Sequence, residues 1–231
     1  MYGIRKTNLM TDIIIKYYNL KKMHLFAGVV LAYLIIIWLS KKTLINEIVF
    51  YNTFSEQLTF ERSMKLFEDL KRYSWIEYVF APIMLLIKIS LVSLVLYVGV
   101  FLFDIQNKVS MGSVFRIVIA SEVVFILASL FKFLWFYFFA GNYTLNDLSF
   151  FYPLSLINFF RRDEVNSFWI FPLQIINVFQ FIYILSLTYG MNKTCEVERS
   201  DTEKIVLSSY LPAIVVWVAL IMFLSIDTLS L

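Results

Sequence analysis

Five long apolar runs constrain the fold of this chain more than any other feature of its sequence. They cover about residues 25–40, 77–103, 114–139, 168–191 and 206–225. The last four each reach the roughly 20 residues that a helix needs to cross about 30 Å of hydrocarbon. The first run is shorter, about 24 Å as a helix, so its flanking lysines would have to reach toward the interface. The pattern predicts an all-α, polytopic membrane helix bundle with about five transmembrane helices.

The composition supports a chain that is solvated by lipid rather than by water. Hydrophobic residues make up 60% of it and charged residues 16%, whereas soluble domains carry roughly 45–50% and about 25%. The expected environment is therefore a lipid bilayer. The net charge of +3 is small, and no basic cluster carries interleaved aromatic residues, so we expect no nucleic-acid partner.

Residue types that commonly carry catalysis or bind metals are scarce. His24 is the single histidine and Cys195 the single cysteine, which excludes an internal disulfide and a zinc site built from several such ligands. With only six glycines, the chain also has no Gly-rich phosphate loop. We therefore expect a protein that is not an enzyme and that needs no cofactor or metal.

The chain divides into a basic N-terminal segment, residues 1–23, and a single membrane domain, residues 24–231. Within the domain, residues 44–73 mix charges with apolar residues at roughly helical intervals, which predicts one or two amphipathic helices. A solvated hairpin is the alternative. Residues 145–160 are too short and too polar to span, and Pro153 interrupts them after a helix start that Asn146 or Asp147 would cap. They predict an interfacial or re-entrant element.

Charges outside the apolar runs bear on orientation. With a cytoplasmic N-terminus, nine Lys or Arg residues would face the cytoplasm and eight the other side. The first span usually dominates, so we expect the N-terminus in the cytoplasm. A bias toward Ile, Asn, Lys and Phe is typical of AT-rich bacterial genomes, which favours the bacterial inner membrane.

Charged residues inside the second and third runs are the main functional candidates. Arg116 is close to the end of its run and can reach the interface, whereas Lys88, Glu122 and Lys132 lie deeper. Counting from the turn between the runs places Lys88 about 10 Å in height from Glu122 and about 5 Å from Lys132. A Lys88–Glu122 pair therefore needs an axial offset, and the three charges do not form a compact triad.

Three interpretations of these charges stay open. The first is a polar pathway for an ion or a substrate through the bundle. The second is a buried pair that fixes helix packing, with the other charges reaching the interface. The third is contact with another subunit that supplies the counter-charges.

The fourth run carries a set of amides. Gln174, Asn177 and Gln180 are spaced three residues apart, which predicts a slowly drifting polar stripe on one helix face. Amides bind across helices at a lower cost than charges do. The stripe is therefore interpreted as interhelical hydrogen bonding, or alternatively as the lining of a polar cavity.

Two thirds of the chain, about residues 71–227, resembles the Yip-type family of five-span membrane proteins. The similarity lies in the stretches "FFYPLSLINFF", "FWIFPLQIINVFQFIYILSLTYGM" and "SSYLPAIVVWVALIMFL". The resemblance implies a non-enzymatic partner of other proteins, small GTPases in eukaryotes, while bacterial relatives are sometimes labelled permease-like. This chain lacks the family's long soluble N-terminal region with its acidic-aliphatic-Gly-Pro motif, so no functional residue is carried over.

These observations favour a non-catalytic membrane protein that binds other membrane subunits or itself, as an accessory subunit of a complex. The alternative is a transporter or permease component with a pathway lined by Lys88, Glu122 and Lys132.

Overall fold

The computed structural model describes residues 9–227, and the regular structure there is helical apart from one isolated antiparallel bridge. Residues 1–8 of the predicted basic segment, and residues 228–231, lie outside the described residues. The predicted all-α fold is confirmed for the described part of the chain. Its helices are α1 (Leu9–Tyr18), α2 (Lys22–Thr43), α3 (Glu47–Phe54), α4 (Phe60–Arg72), α5 (Trp75–Leu102), α6 (Met111–Ser121), α7 (Val123–Phe138), α8 (Leu145–Phe150), α9 (Ser167–Ile175), α10 (Val178–Thr194) and α11 (Arg199–Asp227).

Four helical segments within residues 9–227 are long and apolar enough to cross a membrane. They are Lys22–Thr43, Trp75–Leu102, Met111–Phe138 and Arg199–Ser225. The third contains α6 and α7, which join at Glu122 with backbone dihedrals that stay in the helical region. These four segments match four of the five predicted spans.

The first of these helices is longer than the sequence predicts. α2 has 22 residues, about 33 Å at the helical rise, rather than the 16 of the apolar run. Lys22, Lys41 and Lys42 therefore lie within the helix. Lys41 pairs with Glu77 at the start of α5, so this lysine ties two helix ends together. The apolar run itself keeps its 16 residues, so the prediction that its flanking lysines reach toward the interface stays a prediction.

The predicted fourth span, residues 168–191, is not one continuous helix, and this part of the prediction is wrong. The chain forms α9 with nine residues and α10 with 17, separated by Ile176 and Asn177. The Asn177 backbone is extended, and its side-chain oxygen accepts from the Gln180 backbone N–H and caps α10. Neither α9 nor α10 alone reaches the roughly 30 Å of a hydrocarbon core.

The helices share two ends, named here the proximal and the distal end. The proximal end holds the start of α2 and the α5–α6 and α10–α11 turns. Consistently, a side chain built at Gly190 of α10 would touch Ile117 of α6, and one at Gly99 of α5 would touch Ile205 of α11. The distal end holds α3, α4, α8 and α9.

A backbone pairing explains why α9 and α10 separate. The Leu156 N–H donates to the Ile176 carbonyl at 3.0 Å, and the Val178 N–H donates to the Leu154 carbonyl at 3.1 Å. These bonds form the antiparallel bridge between Ser155 and Asn177. The chain after α8 thus supplies hydrogen-bond partners to the backbone at the break, as non-helical backbone inside a bundle requires.

The bridge lies well inside the bundle. Tyr183 donates to Glu122 and lies only five residues, about 7.5 Å, from the start of α10. From Glu122, α7 continues for 16 residues, about 24 Å, toward the distal end. The start of α10 is therefore about 16 Å short of the end of α7. Residues 154–156, which pair with the backbone at the break, therefore reach this depth in the bundle.

The distal helices fit the predicted amphipathic segment. α3 and α4 form a helical hairpin joined by ring contacts of Phe50 with Phe67 and of Tyr51 with Phe60. α8 begins with a reciprocal cap, in which Thr144 and Asp147 bond each other's backbone N–H groups. Thr144 is therefore the cap, rather than Asn146 or Asp147. The Leu145 N–H donates to Thr53, which fixes α8 against α3.

We predict that Gly190→Ala lowers the stability of the fold. A Cβ at this position would lie 2.6 Å from the Ile117 side chain and 2.7 Å from the Tyr18 ring. Overpacking of this kind costs about 1–3 kcal/mol. Thermal unfolding in detergent measures the effect.

Gly28→Ala provides the matched control, because a Cβ at Gly28 meets nothing within 4 Å and alanine favours a helix over glycine by about 1 kcal/mol. The control variant should unfold at the same temperature as the parent or slightly above it. Equal effects of the two substitutions would contradict the close contact between α1, α6 and α10.

Candidate functional site

A buried carboxylate occupies the centre of the bundle. Glu122 lies at the junction of α6 and α7 with 0% of its surface exposed. Its Oε2 accepts from Lys88 Nζ at 2.8 Å and from the Tyr33 hydroxyl at 3.4 Å. Its Oε1 accepts from the Tyr183 hydroxyl at 3.3 Å. Donors from α2, α5 and α10 therefore converge on one side chain.

Helix register explains why these side chains meet. Tyr33 lies 11 residues after the start of α2, and Glu122 lies 11 residues after the start of α6, in helices that both begin at the proximal end. Lys88 lies 14 residues before the end of α5, which leaves an offset of about 4.5 Å. The predicted offset of about 10 Å was too large because the real turn occupies residues 103–110. The lysine side chain covers the remaining distance.

Lys88 reaches both the buried carboxylate and the outer surface of the bundle. Its ammonium lies 3.9 Å from the centre of the Phe125 ring, a distance suited to a cation–π contact. Its side chain is nevertheless 41% exposed. It lines an apolar cavity of about 240 Å³ between α2 and α5, together with Tyr33, Val30, Leu34, Ile37, Ala81, Pro82, Met84 and Leu85.

A second layer of polar side chains supports the first. The Tyr183 and Tyr210 rings pack with centroids 5.7 Å apart, and Gln180 donates to the Tyr210 hydroxyl at 2.9 Å. Tyr152, from the segment that returns into the bundle, faces the same charge. Burial, with a contribution from the negative charge of Glu122, raises the pKa of Tyr152 to about 12.

Polar contacts continue from Glu122 toward α1. The neighbouring Ser121 accepts from the Ser186 hydroxyl at 3.0 Å, and Tyr18 bonds Ser186 at 2.6 Å. The Tyr17 hydroxyl donates to the Ala120 carbonyl at 3.0 Å. The first helix is thereby held against α6 and α10 by hydrogen bonds made directly beside the carboxylate.

The structure forms the Lys88–Glu122 pair that the sequence allows and leaves Lys132 apart. Lys132 lies in α7, ten residues beyond Glu122, and makes no ion pair or hydrogen bond within the described part of the chain. The absence of a compact triad is thus confirmed. A pathway lined by all three charges finds no support in these positions.

The three amides do not form a stripe on one helix, and that prediction is wrong because the helix breaks at Asn177. Gln174 lies on α9 and donates to the Ser149 and Phe150 carbonyls at the end of α8. Asn177 caps α10 and also donates to two α9 carbonyls. Gln180 alone joins two long helices, through Tyr210.

Sequence reasoning missed the tyrosines that surround Glu122. Tyr33, Tyr183 and Tyr210 lie inside apolar runs, whereas tyrosines of membrane helices collect near the interfaces. A buried tyrosine hydroxyl usually finds a hydrogen-bond partner. Tyr33 and Tyr183, which lie far from both ends of their runs, were therefore the available signal for a polar site in the interior.

No protein-family model, curated protein or solved structure matches this chain. Its resemblance to the Yip-type family therefore stays a prediction from the sequence.

We predict a strong coupling between Lys88 and Glu122. Lys88→Met leaves a buried carboxylate without its cation, a change that typically costs about 3–5 kcal/mol. The double variant Lys88→Met/Glu122→Gln removes both charges and keeps an acceptor for the tyrosine hydroxyls, so it should unfold at a higher temperature than Lys88→Met alone. Thermal or denaturant unfolding of both variants in detergent measures the coupling.

Lys132→Met is the control, since this lysine has no ion-pair partner in residues 9–227. It should leave stability unchanged or raise it. Additive losses in the double variant would show that the pair contributes no interaction energy.

Proposed function

We propose that this chain is a multi-pass membrane protein that works by binding another membrane protein within the bilayer, and not by catalysis. Four apolar helices of spanning length support the membrane placement. A fifth crossing is proposed through α9 and α10, which together measure about 39 Å. The resemblance to Yip-type proteins implies the same kind of role.

The observation that carries the binding role is the exposure of Lys88. It lies at the middle of the 28-residue α5, where a charge costs about 2.5–3.5 kcal/mol on insertion scales. Its ammonium has three N–H donors, and one of them bonds Glu122. The remaining donors have no oxygen acceptor within the described residues. An acceptor from outside the chain would satisfy them.

The chemistry of the cavity indicates which partner would supply that acceptor. Its wall is apolar except for Lys88 and Tyr33, which suits a transmembrane helix with apolar side chains and one carboxylate or amide oxygen at mid-depth. A second copy of the chain fits poorly, because its Glu122 is fully buried and already paired. The proposed partner is therefore a different membrane protein.

Site-specific photo-crosslinking in native membranes tests the proposal. A photoreactive phenylalanine derivative at Leu34 or Met84, both in the cavity wall, should give one discrete adduct. Mass spectrometry of that adduct should map the partner to a transmembrane helix that carries Asp, Glu, Asn or Gln. The same probe at Val216 of α11, 66% exposed, controls for nonspecific capture.

The adduct should also depend on the cation. Lys88→Met/Glu122→Gln keeps the interior free of unpaired charge and removes the exposed ammonium, so crosslinking should fall about tenfold in a purified variant that still unfolds cooperatively. An adduct that survives in this folded variant, or one that forms equally at Val216, would overturn the proposed interface.

A second candidate function is transport, and the break between α9 and α10 favours it. Helices broken near the membrane midplane, with their freed backbone groups close to a polar site, are typical of secondary transporters. Here the break is about one and a half helical turns from the level of the buried carboxylate, since α10 begins five residues before Tyr183. Intramembrane carboxylates also occur in the proton relays of pumps and transporters.

Proton uptake by proteoliposomes distinguishes this candidate. With an internal pH dye and a potassium diffusion potential, wild-type vesicles should acidify faster than empty ones if the site conducts protons. Glu122→Gln should then abolish the difference, whereas Lys132→Met should retain it. Acidification no faster than in empty vesicles would exclude proton conduction by the isolated chain.

A further inference from the structure

Two cations lie together at the proximal end, away from the site described above. Lys22 begins α2, and its ammonium lies over the first turn of α6, 2.6 Å from where a Cβ of Gly112 would be. Arg116 follows Gly112 by four residues, which places both on one face of α6. Helical side chains lean toward the N-terminus of their helix, so Arg116 lies on the face of α6 whose first turn Lys22 covers.

These cations have no counter-charge among the described residues. Neither Lys22 nor Arg116 makes an ion pair there, although acidic residues elsewhere hold Lys41, Lys88, Arg199 and Lys204. The Arg116 Nε is moreover buried and has no hydrogen-bond acceptor. A buried donor to which nothing binds costs about 1–3 kcal/mol, and more when it carries charge.

The location makes the lack of a counter-charge more costly. Both residues lie near the first turns of α2 and α6, where the helix dipoles add positive potential. The nearby Cys195 thiol cannot provide the missing charge, because burial raises its pKa and keeps it neutral. An anion held by Lys22 and Arg116 would therefore remove the repulsion between the two cations.

We propose that Lys22 and Arg116 bind a phosphate group at the proximal end of the bundle, and that this group belongs to the headgroup of an anionic phospholipid. The Arg116 guanidinium is a planar fork that can donate two hydrogen bonds to phosphate oxygens, and the Lys22 ammonium adds a compact positive charge. The position of the pair fits the lipid source. Lys22 and Arg116 lie at the ends of apolar helices, where headgroup phosphates are found in a bilayer.

The inference rests on the proposed membrane placement and does not depend on the cavity beside Lys88. Its test measures binding of phosphatidylglycerol to the full chain by native mass spectrometry and by the rise in unfolding temperature in nanodiscs. Each Lys or Arg near an anionic surface contributes about 1 kcal/mol, so Lys22→Gln should weaken binding about fivefold and Lys22→Gln/Arg116→Gln about thirtyfold.

Lys65→Gln removes one exposed lysine of α4, at the distal end, and is the charge-matched control. It should leave lipid binding unchanged. Lys22 is itself exposed, so its single substitution tests the site without disturbing the core. Equal losses for Lys22→Gln and Lys65→Gln, or none for the double variant, would overturn the proposal.

A third arm separates the lipid from a soluble ligand. In phosphatidylcholine nanodiscs, inorganic phosphate should not stabilise the protein as phosphatidylglycerol does. If inorganic phosphate stabilises it equally, and the Arg116 substitution removes the effect, the lipid assignment is overturned in favour of a site for soluble phosphate. Failure of the crosslinking experiment at Leu34 and Met84 has no bearing on either result.

Discussion

The ion pair between Lys88 and Glu122 is the interaction on which the rest of this structure depends. A carboxylate with 0% exposure at the junction of α6 and α7 is stable only if donors reach it. Those donors come from α2, α5 and α10, so each of these helices has one rotation and one height that satisfy the charge. Apolar contacts alone would allow several packings, because lipid solvates apolar side chains as well as other helices do. The pair therefore selects one arrangement of the bundle.

Much of the fold was predictable because it depends on local pattern. Four helices of spanning length follow from apolar runs, and the short turn between two of them made a Lys88–Glu122 pair possible, although the axial offset was overestimated. The break after Ile175 was not predictable in this way, since residues 168–191 read as one uninterrupted apolar run. Its cause is the bridge between Ser155 and Asn177. These residues are 22 positions apart in the sequence, so a pattern within the run cannot predict their contact. The three amides were misplaced for the same reason.

The candidate site was predictable only in its charges. Lys88 and Glu122 stand out in apolar sequence, whereas Tyr33, Tyr183 and Tyr210 belong to a residue type that is common in the chain, with 14 tyrosines in all. Which of those tyrosines face the carboxylate depends on helix rotation, and rotation is a property of the packed bundle. Arg116 shows the reverse case. In the sequence, Arg116 needs no special explanation, because it is close enough to the end of its run to reach the interface. Only the packed structure shows that its Nε is buried without an acceptor.

The short connection between α5 and α6 has a consequence for how the chain is made. Its eight residues, 103–110, hold two helices that each carry one charge of the pair, and either helix entering lipid alone would expose that charge at a cost of about 2.5–3.5 kcal/mol. Entering together, the two neutralise each other before either meets the hydrocarbon. In the proposed membrane placement, the hairpin from Trp75 to Phe138 would therefore enter the bilayer as one unit that carries both charges of the pair together.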